Sequence, residues 1–551
     1  MKKVFFCTLL VVLTLAVGTA GAATLSMYVQ PAEDDPAVMS DTAVYVYWSS
    51  SRACTLFLPA GMDASRLRVV FDKQETIKVD GTTLRSGEET ALFGMLIGQT
   101  VKLSYGSTTV NLKVMQSANL NALYLTTESG NLTYVEKKKG NKEAGGMAVL
   151  SPEGEVTQMG EMEFIRTHGN GTLDYKKKSY DIKLSQKTDL LGMGKAKRWI
   201  LLANNIDNSL LRNKIAYDMQ LETGMTYGIH STFVDLYINH QYRGNYLVTE
   251  KMEIGENRID IDDLEKATEA LNDQPLSSYT RVGILHSYQA NSSKAYQIPN
   301  DPEDVTGGYL LEFELTYRYI RVESGVVTKQ GQPVVIKSPK YASEAQVAYI
   351  RELLQNVEDA LFSKDGINPN TGKHYYEYVD KNSMVMLFTL EEVMKNYDAN
   401  RSSLYFYKPS DDESTLLYAA SGWDFDQSLD NAGYVGPQVT TVMSSSTRYH
   451  WFPKAYKIQD FYESVCETYQ TVFRPCLDIL LGEREKGTYL QSLEDYRQLL
   501  SASAAMNYDR WGYCQTSPHT RVGKNFDAAV TYLETFITKR RNWLNEFWAV
   551  E

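Results

Sequence analysis

The stretch "SSLYFYKPSDDESTLLYAASGWDFDQ", residues 402–427, predicts a β-hairpin followed by two closely spaced carboxylates. The flanking segments SSLYFYK and STLLYAA are rich in aromatic and apolar residues, as strands are, and PSDDE between them has the residue types of a turn. Asp398 precedes the first strand and Asp424 follows the second at equal distances from the middle of the turn. Antiparallel pairing should therefore bring these two aspartates together, with Asp426 close by.

Carboxylates gathered at one end of a hairpin repel each other unless a cation or a proton relieves the charge. Their hard oxygen atoms suit Mg²⁺, which binds one or two protein carboxylates and completes its shell with phosphate oxygens and water. An aspartate that stays off the metal could orient or deprotonate a hydroxyl nucleophile, as phosphoryl transfer requires. The residues alone leave an alternative open, in which Asp398 caps a helix end and Asp424 caps a turn.

A second group of residues, "THGNGTLDYKKKSYDIKL" at 167–184, joins a glycine-containing turn to three lysines and a strand. Backbone amides in such a turn, followed by lysines, can hold a phosphate group, although the spacing is not that of a P-loop. In the strand, Lys183 should point away from the apolar side chains because successive residues alternate between faces. Hairpin glycines and solvated lysines are the ordinary alternative.

The N-terminus, "MKKVFFCTLLVVLTLAVGTAGAAT", has the pattern of a secretory signal peptide over residues 1–23. Two lysines precede an apolar run that ends in small residues, and the run is shorter than the ~20 residues a membrane-spanning helix needs. We therefore expect an exported protein (periplasmic, at the cell surface or secreted) with no membrane span after cleavage.

Composition sets further limits on the function. The 551 residues are 43% hydrophobic and 23% charged, as in soluble globular proteins, and the formal net charge of −12 becomes −14 without Lys2 and Lys3. An acidic exported protein is a poor general nucleic-acid binder and favours basic partners. The four cysteines outside the predicted signal peptide lack zinc-site spacing, and either a disulfide or free thiols would fit them.

The chain divides into a β-rich and a helical part, which predicts an α+β fold. Alternating apolar residues over 24–116 indicate a small β-sandwich. The β-rich segment 117–255 contains one clear helix, for which Asp207 or Ser209 is the expected N-cap and Gly224 the residue just past the end. Residues 264–305 look like an inserted variable loop, with a lid or a substrate platform as the alternatives, and the remainder, about 306–551, is mainly helical.

The ordered series of segments resembles the spore coat protein H (CotH) kinase family from about residue 120 to 551. The segments that carry the resemblance are HGNGT…KKKSYDIKL, RWILLANNIDNSLLRNKIAYDM, VDLYINHQYRGNYLVTEKMEI, GGYLLEFEL, KNYDANRSSLYFYK and GWDFD. The resemblance implies a two-lobed, atypical protein-kinase-like domain that phosphorylates serine or threonine of exported proteins, using ATP and Mg²⁺ or Mn²⁺. Two departures are Gly171, where the family has serine or threonine, and the segment 264–305.

The resemblance also assigns roles to individual residues. The match of KNYDANR makes Asp398 the expected catalytic base, and the match of WDFD makes Asp424, then Asp426, the expected metal ligands. For the α/β-phosphates of ATP the expected lysine is Lys183, followed by Lys178. Further residues expected near the nucleotide or between the lobes are Arg212 and Glu250, for which the alternatives are a surface ion pair and a strand-end salt bridge.

Other functions remain compatible with the sequence. A non-catalytic surface or adhesion protein could keep a kinase-like scaffold, a glycosidase could use paired carboxylates, and AMP could be transferred in place of phosphate. The glycine–lysine segment has no role in glycosidase chemistry, which favours phosphotransfer. We expect a protein substrate, basic and serine-rich according to the charge of this chain, whereas the sequence does not indicate an oligomeric state.

Overall fold

The computed structural model describes residues 25–32, 42–169, 171–433, 436–440, 449–516 and 519–550. The predicted signal peptide, 1–23, lies outside the described residues. The described chain is α+β, and it divides into two compact units. Unit 1 takes its residues from Met1–Gln186, Phe233–Tyr246 and Leu499–Gly512, and unit 2 from Lys187–Thr232, Leu247–Gln498 and Tyr513–Glu551.

The strands are numbered in chain order. They are β1 (Met27–Pro31), β2 (Val44–Tyr45), β3 (Tyr47–Ser50), β4 (Ala53–Leu58), β5 (Leu67–Phe71), β6 (Thr76–Val79), β7 (Thr82–Arg85), β8 (Glu89–Thr90), β9 (Thr100–Tyr105), β10 (Thr108–Gln116), β11 (Asn121–Leu125), β12 (Lys142–Leu150), β13 (Val156–His168), β14 (Ser179–Asp189), β15 (Lys195–Leu202), β16 (Ser231–Ile238), β17 (Gln241–Glu250), β18 (Arg281–Gly283), β19 (Ser292–Tyr296), β20 (Tyr309–Phe313), β21 (Gly325–Val327), β22 (Pro333–Ser338), β23 (Leu404–Lys408) and β24 (Tyr418–Ala419).

The α-helices are numbered in the same way. They are α1 (Leu92–Leu96), α2 (Thr133–Lys137), α3 (Arg212–Glu222), α4 (Leu264–Ala270), α5 (Thr316–Tyr319), α6 (Glu344–Leu361), α7 (Lys381–Val393), α8 (Phe452–Ala455), α9 (Gln459–Thr468), α10 (Arg474–Leu480), α11 (Leu493–Trp511) and α12 (Phe526–Phe547). Among the described residues, no helix is both long and apolar enough to span a bilayer.

Unit 1 begins with two sheets, in the strand orders β2-β1-β5-β8 and β3-β4-β10-β9-β6-β7. Their strands alternate buried apolar and exposed polar residues, and the buried side chains of both sheets belong to one hydrophobic core. The β-sandwich remains our interpretation of this region. Strands β11 to β14 follow as antiparallel neighbours, and β16 pairs in parallel with β11.

The C-terminal part of α11 belongs to unit 1 although it is almost 400 residues away in sequence from the first sheets. Asp509 accepts hydrogen bonds from the Thr55 hydroxyl (3.0 Å) and the Lys113 ammonium group (2.6 Å). Ser503 donates to the buried carboxylate of Asp235 at 2.7 Å. This helix is therefore an integral part of unit 1.

Unit 2 contains a seven-stranded sheet in the order β18-β19-β21-β22-β20-β23-β24. The predicted hairpin is present as β23 and β24, which pair in antiparallel fashion. Two of the outer strands, β18 and β19, come from the segment 264–305, which also contains α4. The segment therefore supplies a paired edge to the sheet, while its interpretation as a variable insertion stays a prediction.

The helix predicted after residue 207 begins later than expected, at Arg212. Asp207 does not occupy the N-cap position, since its carboxylate instead accepts the backbone N–H groups of Ser209 and Arg212 (both 2.9 Å) and holds a turn ahead of the helix. The end of the helix agrees with the prediction, with Gly224 at φ +70° just beyond it.

Candidate functional site

The three aspartates singled out from the sequence come together in unit 2. Asp398, Asp424 and Asp426 each offer a carboxylate oxygen, and these three atoms lie within 4.8 Å of one another. Asp398 opens a 3-10 turn that immediately precedes β23, whereas the other two lie in the loop that follows β24. Strand pairing therefore creates the cluster by bringing the two ends of the hairpin together.

The loop that carries Asp424 and Asp426 is fixed by its aromatic residues. The rings of Trp423 and Phe425 both pack on Tyr217, with centroid distances of 5.8 and 6.1 Å. The backbone N–H of Phe425 donates to the side chain of Asn213 at 2.8 Å. Because Trp423 and Phe425 are held against α3, the aspartates that alternate with them are directed to the cluster.

The register of the hairpin differs from the symmetric one that we predicted. Phe406 lies opposite Ala419, and continuing this register puts Asp398 level with Gln427, three residues further on than Asp424. The Gln427 amide indeed donates to Asp398 Oδ2 at 2.8 Å. Gln427 thus orients the carboxylate of Asp398, and the sequence analysis did not identify it.

Asn396 connects the two segments that form the cluster. Its side-chain carbonyl accepts the backbone N–H of Asp398 at 3.2 Å, and its side-chain amide donates to the backbone carbonyl of Asp424 at 3.3 Å. One side chain therefore fixes the spacing between the turn before β23 and the loop after β24. The sequence signal was present in the Asn-Tyr-Asp motif, where the asparagine has this positioning role.

All three carboxyl groups of the cluster have raised pKa values. Burial, followed by the neighbouring Asp398, raises the pKa of Asp424 to about 7. Burial also raises the pKa of Asp398, although Gln427 and two arginines oppose the effect. The pKa of Asp426 is raised well above its usual value by burial and then by the other aspartates. Like charges held at such short distances need a proton or a cation between them.

This donor set fits a divalent metal ion. Three converging carboxylates provide the hard oxygen ligands that Mg²⁺ and Mn²⁺ prefer. Asp424 and Asp426 come from one rigid loop, while Asp398 comes from the facing turn. A metal held by the loop would therefore leave Asp398 free to interact with a substrate.

Arg212 is not a surface residue, so that alternative is wrong. Its side chain is fully buried and pairs with Asp207 at 2.5 Å. Its remaining N–H groups donate to the backbone carbonyls of Ser428 (2.9 Å) and Leu429 (3.2 Å). Arg212 therefore ties the chain after Asp426 to the start of α3, and these contacts occupy the donors that a phosphate group would need.

Glu250 lies at the end of β17 and lines a cavity of about 480 Å³. Its carboxylate pairs with Arg258 at 2.5 Å and accepts the backbone N–H of His230 at 2.9 Å. The Arg258 guanidinium in turn lies 4.5 Å from the centroid of the Trp199 ring. The strand-end salt bridge expected as the alternative for Glu250 is present and forms part of a cavity wall, while binding of a nucleotide near Glu250 stays a prediction.

The two candidate lysines belong to unit 1 and have partners there. Lys183 pairs with Glu163 at 2.6 Å, and both side chains are about one third exposed. Lys178 donates to the backbone carbonyls of Leu173 (2.6 Å) and Tyr175 (2.8 Å), and so closes the turn ahead of β14. Because an exposed ion pair is weak, Lys183 can be released for a ligand more easily than Lys178.

Glu391 is a further acidic residue that the sequence analysis missed. It is fully buried on α7, and a methyl group placed on Gly422 would lie 2.8 Å from its Oε1 atom. Burial raises its pKa well above the usual value, and the neighbouring Asp398 and Asp424 add smaller contributions. Glu391 thus packs against the loop that carries Asp424 and Asp426. The sequence signal was the Glu-Glu pair near the end of α7.

Comparison with known proteins identifies the family. The family model described as CotH kinase protein matches residues 165–544, which is most of the chain. The matched range contains the aspartate cluster, both candidate lysines, Arg212 and Glu250. No curated protein matches the chain.

Proposed function

The chain belongs to the CotH kinase protein family, and from this premise we propose that it transfers the γ-phosphoryl group of ATP to serine or threonine hydroxyls of a protein substrate. The proposal includes export of the protein and a requirement for Mg²⁺ or Mn²⁺. The observation that carries it is the cluster of three carboxylates, which combines a metal-binding pair on one loop with an opposing aspartate.

In this proposal Asp424 and Asp426 would hold the metal ion, which would supply positive charge for the phosphate oxygens. Trp423 and Phe425 fix the loop on which these two aspartates lie. Asp398 accepts the proton of the acceptor hydroxyl. Its raised pKa suits that role, because a general base is most effective when its pKa approaches the working pH.

The transfer itself involves one bond made and one bond broken. The acceptor oxygen bonds to the γ-phosphorus, the bond from that phosphorus to the β,γ-bridging oxygen breaks, and ADP leaves with the electron pair. Gln427 holds Asp398 in place through one carboxylate oxygen, which leaves the second oxygen available for the hydroxyl. Lys183 is the first candidate for the α/β-phosphates, because its ion pair with Glu163 is exposed and weak. Lys178 is the second, because its ammonium group already donates to two backbone carbonyls.

The test is a calorimetric titration of the mature protein with ATP, with and without Mg²⁺ or Mn²⁺. We expect saturable, metal-dependent binding that is lost in Asp424→Asn. The matched control is Asp412→Asn, which removes the same charge from an exposed position in the turn between β23 and β24. Full affinity in Asp424→Asn would contradict the metal assignment, and absence of binding with either metal would contradict the kinase proposal.

A further inference from the structure

Two arginine–tyrosine pairs flank Asp398. The Arg318 guanidinium lies 5.7 Å from the centroid of the Tyr317 ring on the short helix α5. The Arg401 guanidinium lies 4.6 Å from the centroid of the Tyr397 ring and donates to its hydroxyl. The resemblance to the family drew attention to neither arginine.

Sheet pairing explains why Arg318 is near the aspartates. Phe313, the last residue of β20, lies opposite Leu404, the first residue of β23. Because the strands are antiparallel, the chain that leaves β20 runs beside the chain that enters β23. The segment 314–319 therefore adjoins the turn that carries Asp398.

The two arginines differ in the carboxylates that they influence. Both oppose the effect of burial on the pKa of Asp398. Only Arg318 also opposes burial at Asp424, where it is the main cation acting on the carboxyl. Arg318 thus acts electrostatically on both Asp398 and Asp424, whereas Arg401 acts on Asp398.

Arg318 also differs from the structural arginines of this chain in how firmly it is held. Its ion pair with Glu314 is long, at 3.5 Å, and its side chain is 33% exposed. Arg212 and Arg540, by contrast, are completely buried and donate to several backbone carbonyls. The contacts of Arg318 with Glu314 and Tyr317 lie on a partly exposed side chain, so an anion can compete for its N–H groups.

We propose that Arg318 binds the oxygen atoms of the phosphoryl group while that group passes from ATP to the acceptor held by Asp398. This inference rests on the proposed function and adds to it the residue that stabilises the charge in transfer. Planar, fully ionised guanidinium groups bind two phosphate oxygens at once. Neither candidate lysine is proposed to bind the transferring phosphoryl group, because both are assigned to the α- and β-phosphates.

The experiment measures binding of a mimic of the transferring group, so no protein substrate is needed. ADP and Mg²⁺ are titrated into the protein with and without aluminium fluoride, which mimics the γ-phosphoryl group in the transition state of transfer. The wild-type protein should bind ADP more tightly when aluminium fluoride is present. In Arg318→Met we expect this gain, measured as the ratio of the ADP affinities with and without aluminium fluoride at one Mg²⁺ concentration, to fall by about 10²-fold or more, the usual effect of removing one donor to developing charge.

Arg401→Met is the matched control, because it removes the other arginine that acts on Asp398. It should retain most of the gain from aluminium fluoride, and Arg318→Lys should retain only part of it. A full gain in Arg318→Met, or equal losses in the two methionine variants, would overturn the inference. Failure of the wild-type protein to bind ADP with Mg²⁺ would instead refute the proposed function, and the role of Arg318 with it.

Discussion

The affinity of this protein for Mg²⁺ or Mn²⁺ should depend on pH across the neutral range. The carboxyl of Asp424 has a pKa of about 7 in the metal-free protein, chiefly because it is buried and next because Asp398 is near. A metal ion must displace its proton, so lowering the pH from 8 to 6 should weaken metal binding. For one group with this pKa the loss is about tenfold, or about 1.4 kcal/mol.

The same shift should change the stability of the metal-free protein. The pKa of Asp424 rises on folding from 3.8 to about 7. This carboxyl therefore stabilises the fold fully below pH 3.8, and the stabilisation is lost as the pH rises through 7. The metal-free protein should consequently be more stable at pH 6 than at pH 8 by up to about 1.4 kcal/mol from this group alone.

The assay is a calorimetric titration with Mn²⁺ at pH 6, 7 and 8, in buffers with different ionisation enthalpies. Proton release upon binding appears as a dependence of the measured heat on the buffer. We expect release at pH 7 in the wild-type protein and in the charge control Asp412→Asn, with a smaller release in any residual binding to Asp424→Asn. Tight Mn²⁺ binding without proton release and with the same affinity at all three pH values would refute the reasoning.

Three further variants test the surroundings of the cluster. Arg212→Met should lower the free energy of unfolding by about 3–5 kcal/mol, because its aspartate partner stays buried without a counterion; urea denaturation that shows a loss below about 1 kcal/mol would contradict this. Lys183→Met should weaken ATP binding more than Lys178→Met in calorimetry, and the reverse order would mean that Lys178 contacts the phosphates. Gly422→Ala should weaken Mn²⁺ binding about tenfold or more, because its methyl group would lie 2.7 Å from the Phe425 ring of the same loop and overpacking costs about 1–3 kcal/mol. Gly436→Ala is the control, since a methyl group there meets no atom of the described residues within 4 Å.

The sequence predicted the aspartate cluster but not the register that forms it. Aromatic strand residues and turn residues were enough to predict a hairpin and the approach of its two ends. The register depends on the turn, where the buried ammonium group of Lys408 donates to Pro409, Asp411 and Ser414. A lysine in a turn normally points to solvent, so no periodicity in the sequence indicates this buried contact.

Other site features depend on tertiary packing and were beyond local patterns. The Glu391 side chain lies on a helix whose sequence gives no sign that a carboxyl group faces the metal loop. Asp207 has the residue type of an N-cap, yet its bonds to Ser209, Arg212 and the Arg212 side chain make it part of a turn. For Glu391 the packing of a distant segment decides the role of the side chain, whereas for Asp207 the local turn ahead of α3 does.

The position of helix α11 in unit 1 has a consequence for the order in which the protein can fold during synthesis. The hydrogen bond from Ser503 to Asp235 can form only after more than 500 residues have been made. The same holds for the hydrogen bonds that Lys113 and Thr55 donate to Asp509. The first sheets therefore leave the ribosome long before their last structural partner exists. A nascent chain of this kind stays incomplete until its synthesis is nearly finished, and contacts so far apart in sequence form slowly.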